Sequence, residues 1–427
     1  MFESIKVLRD YFAYKIKFKD KEPELLNTIH QYKTELIDWF RNGTSQKENP
    51  VSTVTQSYWY SLYLEKKRLE QHRIKLDFAA FNHVYKRKDS TVLSTYYSYQ
   101  KNGKNMVSKV VQWTDLDKVY LRDNRVIFRD KKVNSLTFML LSSQDEEGQY
   151  ICPKCGASQP LPNLLDGCDY CGAKYHIDTY KNKLVSTFME NQVYLSRQLK
   201  KSSYFLTMMS MPCWAGAIYF AIFGSVICQG DWYMKARVIL AVAGLLFFTL
   251  GMISVYSSGN GKHNRALKNL NKTENNFCEE SMLAVIDSKI KAIHFASDIR
   301  EIATFVKCDN MNPYLQDYQN TVVCDTGAYS MEKTWLEDGY RYIQLKRELN
   351  LQDDLGDRFG LRKEYLRLVI ARKQGTEVYN DVSIYTCKNC GATISLVEGG
   401  KCEFCGNELN LIEYDWVITK YERINKM

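Results

Sequence analysis

The chain of 427 residues is poor in glycine (22) and proline (7). With Tyr (30) and Phe (19) plentiful, that scarcity excludes a collagen-like or disordered chain. Charge is missing in two places: no Asp, Glu, Lys or Arg occurs from Ser202 to Gly230, nor from Val238 to Gly261. The opening segment, MFESIKVLRDYFAYKIKF, has charges every few residues and no apolar h-region, so it is not read as a secretory signal peptide. The signatures G-x-x-x-x-G-K-[ST], H-E-x-x-H and G-x-S-x-G are absent and the six His are scattered, so no enzyme is expected. Asp353, Asp354, Gly356 and Asp357 lack the acidic ladder and closing Glu of a calcium loop and read as a solvated hairpin turn.

What is present is 45% hydrophobic and 25% charged, with a formal charge of +9 and a mean hydropathy of −0.38, averages that suit two or three domains with sizeable cores. The positive excess belongs to residues 1–201, with 33 Lys+Arg against 23 Asp+Glu; residues 262–427 carry 23 against 25.

Each uncharged run exceeds the roughly 20 residues that cross a hydrocarbon core of about 30 Å. The expectation is a hairpin of transmembrane helices, 202–230 and 238–261, joined by an external loop, 231–237. Arg197, Lys200 and Lys201 precede the hairpin and Lys262, Arg265, Lys268 and Lys272 follow it, which by the positive-inside bias puts both termini in the cytoplasm of a multi-pass protein. No acid or base lies inside either run, which argues against an ion pathway. Pro212, Cys213, Gly216, Gly224 and Gly244 are candidates for the contact between the two helices.

Cysteine spacing carries the sharpest chemistry. Cys152, Cys155, Cys168 and Cys171 read C-x2-C-x12-C-x2-C, and Cys387, Cys390, Cys402 and Cys405 read C-x2-C-x11-C-x2-C. Two hairpin knuckles that each offer two sulfurs suit tetrahedral zinc. Glycine follows the second Cys of every knuckle (Gly156, Gly172, Gly391, Gly406), where a positive φ turns backbone N–H groups toward the sulfurs. Four protein thiolates leave no open coordination position, so both zinc sites are structural, and reduced thiols agree with a cytoplasmic location. Cys213, Cys228, Cys278, Cys308 and Cys324 have no ligand spacing.

The ribbons repeat. YICPKCGA from Tyr150 is echoed by YTCKNCGA from Tyr385, and GCDYCG from Gly167 by KCEFCG from Lys401. Before the first ribbon, a helical region at Val54 to Val84, with Glu65, Lys66, Lys67 and Arg68 on its polar side, precedes strand-like VLSTYYSY, NMVSKVVQW, KVYLRD and RVIFRD, with a tight turn at Asp123 and Asn124. Before the second, helices from Glu274 to Val306 precede the alternating runs GYRYIQLKRELNL and LRKEYLRLVIARK. The expected fold class is therefore α+β, a duplicated unit of helices, antiparallel sheet and ribbon. Its parts are an N-terminal domain 1–149, ribbon 150–178, linker 179–201, the hairpin, a second domain 262–384, and a ribbon with tail, 385–427.

The second ribbon and its continuation, CKNCGATISLVEGGKCEFCGNELNLIEYDWVI, resemble the ribbon and Tyr-Asp-Trp tail of bacterial membrane proteins with a Tim-forty-four-like domain, named after the mitochondrial import-motor anchor. LPNLLDGCDYCGAKYHI is similar to their other ribbon. The resemblance is specific over these stretches and architectural elsewhere. It implies a nuclear-transport-factor-type cone, at least in the second domain, of helices on a curved antiparallel sheet around an apolar pocket. The mitochondrial relative contacts acidic lipid and recruits an import motor; the hairpin and ribbons depart from it, and the import role is not carried over.

The function expected is a membrane-anchored cytoplasmic zinc-ribbon scaffold or adaptor without catalysis, its partner a protein or anionic lipid. Nucleic-acid binding through the ribbons is the alternative, but Asp166, Asp169, Glu398, Glu403 and Glu408 offset their lysines where a phosphate-binding face needs clustered cations. Ligand binding in the pocket of the second domain is a further alternative.

Overall fold

A computed structural model describes residues 22–45, 49–84, 95–102, 105–143, 149–152, 155–160, 163, 168–172, 182–189, 208, 211–219, 222, 232–274, 277–374, 406–407, 410–413 and 415–425. Two units divide the chain: Leu195–Asn269 with Ser330–Lys333 form one, and the rest forms the other.

In the larger unit the chain traces the same path twice. The first tracing runs from helix α1 (Glu22–Asn42) and α2 (Gln56–Gln71) through β1 (Lys75–His83), β2 (Thr95–Asn102), β3 (Asn105–Arg122) and β4 (Arg125–Ser143). The knuckle strands β5 (Gln149–Ile151) and β6 (Ser158–Pro160) follow, then β7 (Lys183–Met189). The long helix α3 (Trp232–Thr273) leads to the second tracing: α4 (Glu279–Phe295), α5 (Asn312–Asp317), β8 (Thr321–Glu337), β9 (Tyr340–Asp354), β10 (Phe359–Lys373) and β11 (Val417–Ile424). One sheet has the order β1-β3-β4-β7 with β2 also on β3, the other β11-β10-β9-β8. All pairings with a described register are antiparallel, so the expected α+β class holds.

The ribbon does not follow the sheet, as the sequence suggests, but interrupts it: β7 returns after the first ribbon to pair with β4, and β11, beyond the segment that carries the second cysteine set in sequence, pairs with β10. Local irregularities repeat as well. The register slips by one residue between Met139 and Leu140 against β7, and between Val369 and Ile370 against β11, the mark of a β-bulge. Beside each bulge a loop residue makes a parallel bridge, Val54 to Leu184 and Val306 to Ile418. Leu184 stands thirteen residues after Cys171 and Ile418 thirteen after Cys405. The duplication thus reaches individual hydrogen bonds: Thr55 N–H donates to Leu184 O as Lys307 N–H does to Ile418 O.

The expected helix Val54 to Val84 ends at Gln71. Arg73 takes the left-handed φ of 55°, and from Lys75 burial alternates as a strand does. Its polar side is not solvated throughout either. Lys66 and Arg68 are buried because each finds carbonyls at a helix C-terminus, where backbone oxygens lack intrahelical donors and the dipole favours a cation. Lys66 Nζ donates to Trp39 O (2.9 Å) and Phe40 O (3.1 Å) at the end of α1. Arg68 reaches across to the second tracing, donating to Phe295 O (3.2 Å) and Ala296 O (2.9 Å) after α4, and to Tyr318 O (3.1 Å) and Gln319 O after α5.

One core serves both tracings: Val322, Val323 and Phe359 pack with Leu76, Tyr120 and Phe138, and the Phe359 ring stacks on Phe128 at 4.9 Å. Inside the second tracing Arg347, fully buried, makes a bidentate pair with Asp287 (2.9 and 2.5 Å) and donates to Gly327 O. In the Tyr-Asp-Trp segment Asp415 and Trp416 are spent on packing: Lys289 of α4 binds Asp415 (2.6 Å) and Trp416 O, and Arg372 lies 4.6 Å over the Trp416 ring.

The calcium-like segment forms the hairpin turn, solvated at Gly356 and Asp357 as expected, while Asp353 and Asp354 before it are partly buried and paired. Asp353 accepts from Thr321 (2.7 Å) and Arg362, while Asp354 faces His72 Nδ1 (2.7 Å) and accepts from Arg122 (2.5 Å) and from Gly356 N–H (2.9 Å). Burial raises the Asp354 pKa, but the Gly356 amide, Arg122 and His72 outweigh it and hold the carboxyl below the usual aspartate range. A lowered native pKa contributes stability that is fully present above the unfolded value of about 3.9 and is lost as pH falls through the native one. Urea midpoints of the parent and Asp354→Asn chains should therefore differ at pH 6 and converge toward pH 3. A difference that stays constant over that range would show that the charge of Asp354 does not matter.

In the smaller unit the expected transmembrane helices are described in part. The first run is described at Met208, residues 211–219 and Ile222, all helical. The second lies inside α3, which begins at Trp232 and so takes in most of the expected external loop; side chains of 251–261 are outside the description. Among the described residues no helix is long and apolar enough to cross a membrane. The two stretches touch where glycine permits: a β-carbon on Gly244 would stand 3.0 Å from Trp214 Nε1, and one on Gly216 3.1 Å from Leu240 Cδ1. Gly224 is outside the described residues.

Candidate metal centre

The first ribbon begins as a short hairpin, β5 against β6, whose turn carries Cys152 and Cys155. Gly156 closes that turn with φ 76° and its N–H on Cys152 O (2.8 Å); Gly172 repeats this with φ 66° and its N–H on Cys168 O (2.7 Å). A β-carbon would meet nothing at either glycine, so the left-handed backbone alone asks for it. The glycine amides thus close the turns on carbonyls, and the amide one residue further, that of Ala157, points at the Cys155 sulfur.

The knuckles bring four sulfurs together. Cys152 Sγ lies 3.7 Å from Cys171 Sγ and Cys155 Sγ 3.7 Å from Cys168 Sγ, and all four lie within 4.8 Å of one another. Sulfurs about 2.3 Å from a central tetrahedral ion stand about 3.8 Å apart, so the cage has the dimensions a metal needs and is too wide for disulfides, whose sulfurs stand about 2.05 Å apart. Cys152 and Cys168 are buried, Cys155 is exposed. The Ala157 amide pulls the Cys155 pKa down, but burial and the three neighbouring thiols push it up, to about 12 on balance. Metal entry must therefore displace protons.

No protein-family model, curated protein or solved structure matches the chain. Function rests on the chemistry of the cage, a four-cysteine cluster that could hold a metal ion.

Gln159, which spacing does not reveal, links the two knuckles. It is buried on β6, its Oε1 accepts the Asp169 N–H (3.3 Å) and lies 3.7 Å from Cys168 Sγ. No repeated signal marks it, because a single buried glutamine has no periodicity. The second set, Cys387, Cys390, Cys402 and Cys405, lies outside the described residues, but Gly406 beyond Cys405 has φ 69°, the conformation of Gly172. Cys278 and Cys324 are buried thiols whose pKa burial pushes up, as expected of small core residues.

Proposed function

We propose that the chain is a non-catalytic, membrane-anchored scaffold whose two ribbons each hold a structural zinc ion. The observation that carries the anchor is the apolar surface of the helix pair. Two-thirds of the large exposed apolar side chains among the described residues lie between Met208 and Leu250, including Ile218, Ile222, Val238, Ile239, Leu245 and Leu246. A surface so rich in exposed apolar groups asks for a nonaqueous neighbour, and together with the two uncharged runs it supports a hairpin in a bilayer. Past the second run, Lys262, Arg265, Lys268 and Lys272 are exposed on α3 while Ala266 and Leu270 are buried, a basic face suited to the anionic inner leaflet. Termini on the cytoplasmic side and a Tim-forty-four-like second half belong to the same reading.

A wash of cell membranes at alkaline pH should leave the full chain in the pellet, with detergent needed to release it. An impermeant maleimide applied to intact cells should label an Asp231→Cys chain and leave the parent unlabelled. Release by alkali alone would end the anchoring proposal; labelling of the parent ribbons from outside would reverse the topology.

A further inference from the structure

A cavity of about 80 Å³ lies in the larger unit, under α1 and α2 and against the first sheet. Its floor is buried and apolar, with Leu36, Phe40, Leu62, Leu76, Phe78 and Leu136 among its walls. The rest of its lining includes four charged groups. Glu65 of α2, Lys118 of β3, Lys291 of α4 and Asp325 of β8 converge there, so both tracings contribute.

These groups do not neutralise one another by contact. Asp325 has Lys132 at 3.4 Å. Glu65, Lys118 and Lys291 have no hydrogen-bond or ion-pair partner among the described residues; burial holds the Glu65 pKa up against both lysines, and for Lys291 the charges of Tyr58, Asp325 and Glu65 outweigh burial. Both lysines act electrostatically on Glu65 and Asp325 across the gap. Enclosed charges without direct partners are costly, and native proteins pair them with a group of the opposite sign.

We infer that the cavity is a binding site for a small aliphatic α-amino acid. The lining offers one carboxyl and two ammonium groups that make no direct contact with one another, the complement of a molecule bearing an ammonium and a carboxylate on one carbon. The ligand ammonium pairs with Glu65, its carboxylate with Lys118 and Lys291, and its side chain enters the floor. Size sets the side chain: a cavity of about 150 Å³ takes benzene, so about 80 Å³ takes three or four carbon atoms and no aromatic ring. A fatty acid lacks the group for Glu65, and an alkylamine lacks the group for the lysines.

The test is titration calorimetry of the full chain in mild detergent with L-valine, isobutylamine, isovalerate and L-phenylalanine. Saturable binding of valine is expected, at least tenfold tighter than of the other three, and at least tenfold weaker in Glu65→Gln and Lys291→Met chains. Absence of saturable valine binding overturns the inference. So does isovalerate binding as tightly as valine, which would make the site a plain anion pocket, or undiminished binding by both variants. Should either variant misfold, the four-compound comparison on the parent chain decides alone.

Discussion

A chain carrying Cys168→Ser is expected to bind one zinc ion where the parent binds two. Cys168 is a buried corner of the sulfur cage, and a serine hydroxyl supplies neither the negative charge nor the soft donor that completes a four-thiolate set. Apparent binding free energies of structural zinc, about 10–16 kcal/mol in small modules, are also their folding free energies. The ribbon of the variant should therefore be cut by protease where the parent resists. The paired experiment is Cys402→Ser, which should also leave one ion, and the double variant none, as measured by elemental analysis of the purified chains. A metal-free parent would sink both sites. A parent with a single ion, retained in Cys402→Ser, would confine zinc to the first ribbon.

Arg68→Ala should lower the stability of the larger unit by roughly 3–5 kcal/mol, because buried carbonyls at two helix ends lose a charged donor together. Burial lowers the Arg68 pKa, opposed by the Glu301 charge, yet guanidinium remains protonated at any ordinary pH. Arg68→Lys should recover only part of the loss, since one ammonium cannot reach the ends of both α4 and α5. Thermal melting of full chains in one detergent measures both. A shift below about 1 °C in the alanine variant, less than about 1 kcal/mol for a unit of this size, would show that the carbonyls find water instead.

Much of the fold was legible because it rests on local chemistry. Asp123 and Asn124 are read as a tight turn from their types, and both take left-handed φ, 50° and 61°. The alternating runs of β9 and β10 match strands whose burial alternates. Strand β8 was missed for the opposite reason: its first residues, Thr321 to Cys324, are all buried, so no alternation shows. The run Glu65 to Arg68 reads as a solvated face, yet two of its cations serve helix ends and Glu65 faces a cavity. The carbonyls that Lys66 and Arg68 bind are 26 to 251 residues away in sequence, and no local pattern encodes them. The first four-cysteine cluster was legible from spacing alone because each of its two knuckles is a short-range structure, closed by its own glycine.

The interruption of each sheet by its ribbon bears on how loosely the two are joined. Between Ser143 and Lys183 the chain makes an excursion of 39 residues before β7 returns to β4. An ion that ties Cys152 to Cys171 cuts the free length to about half. Since closing a loop costs only about 0.6 kcal/mol more for each doubling, metal occupancy changes the entropy of seating the last strand by about that amount. A sheet whose ribbon holds an ion, as proposed, can therefore lose or exchange it with hardly any change in its own stability. Evolution, on the same arithmetic, is free to lengthen, shorten or replace the ribbon without redesigning the sheet that carries it.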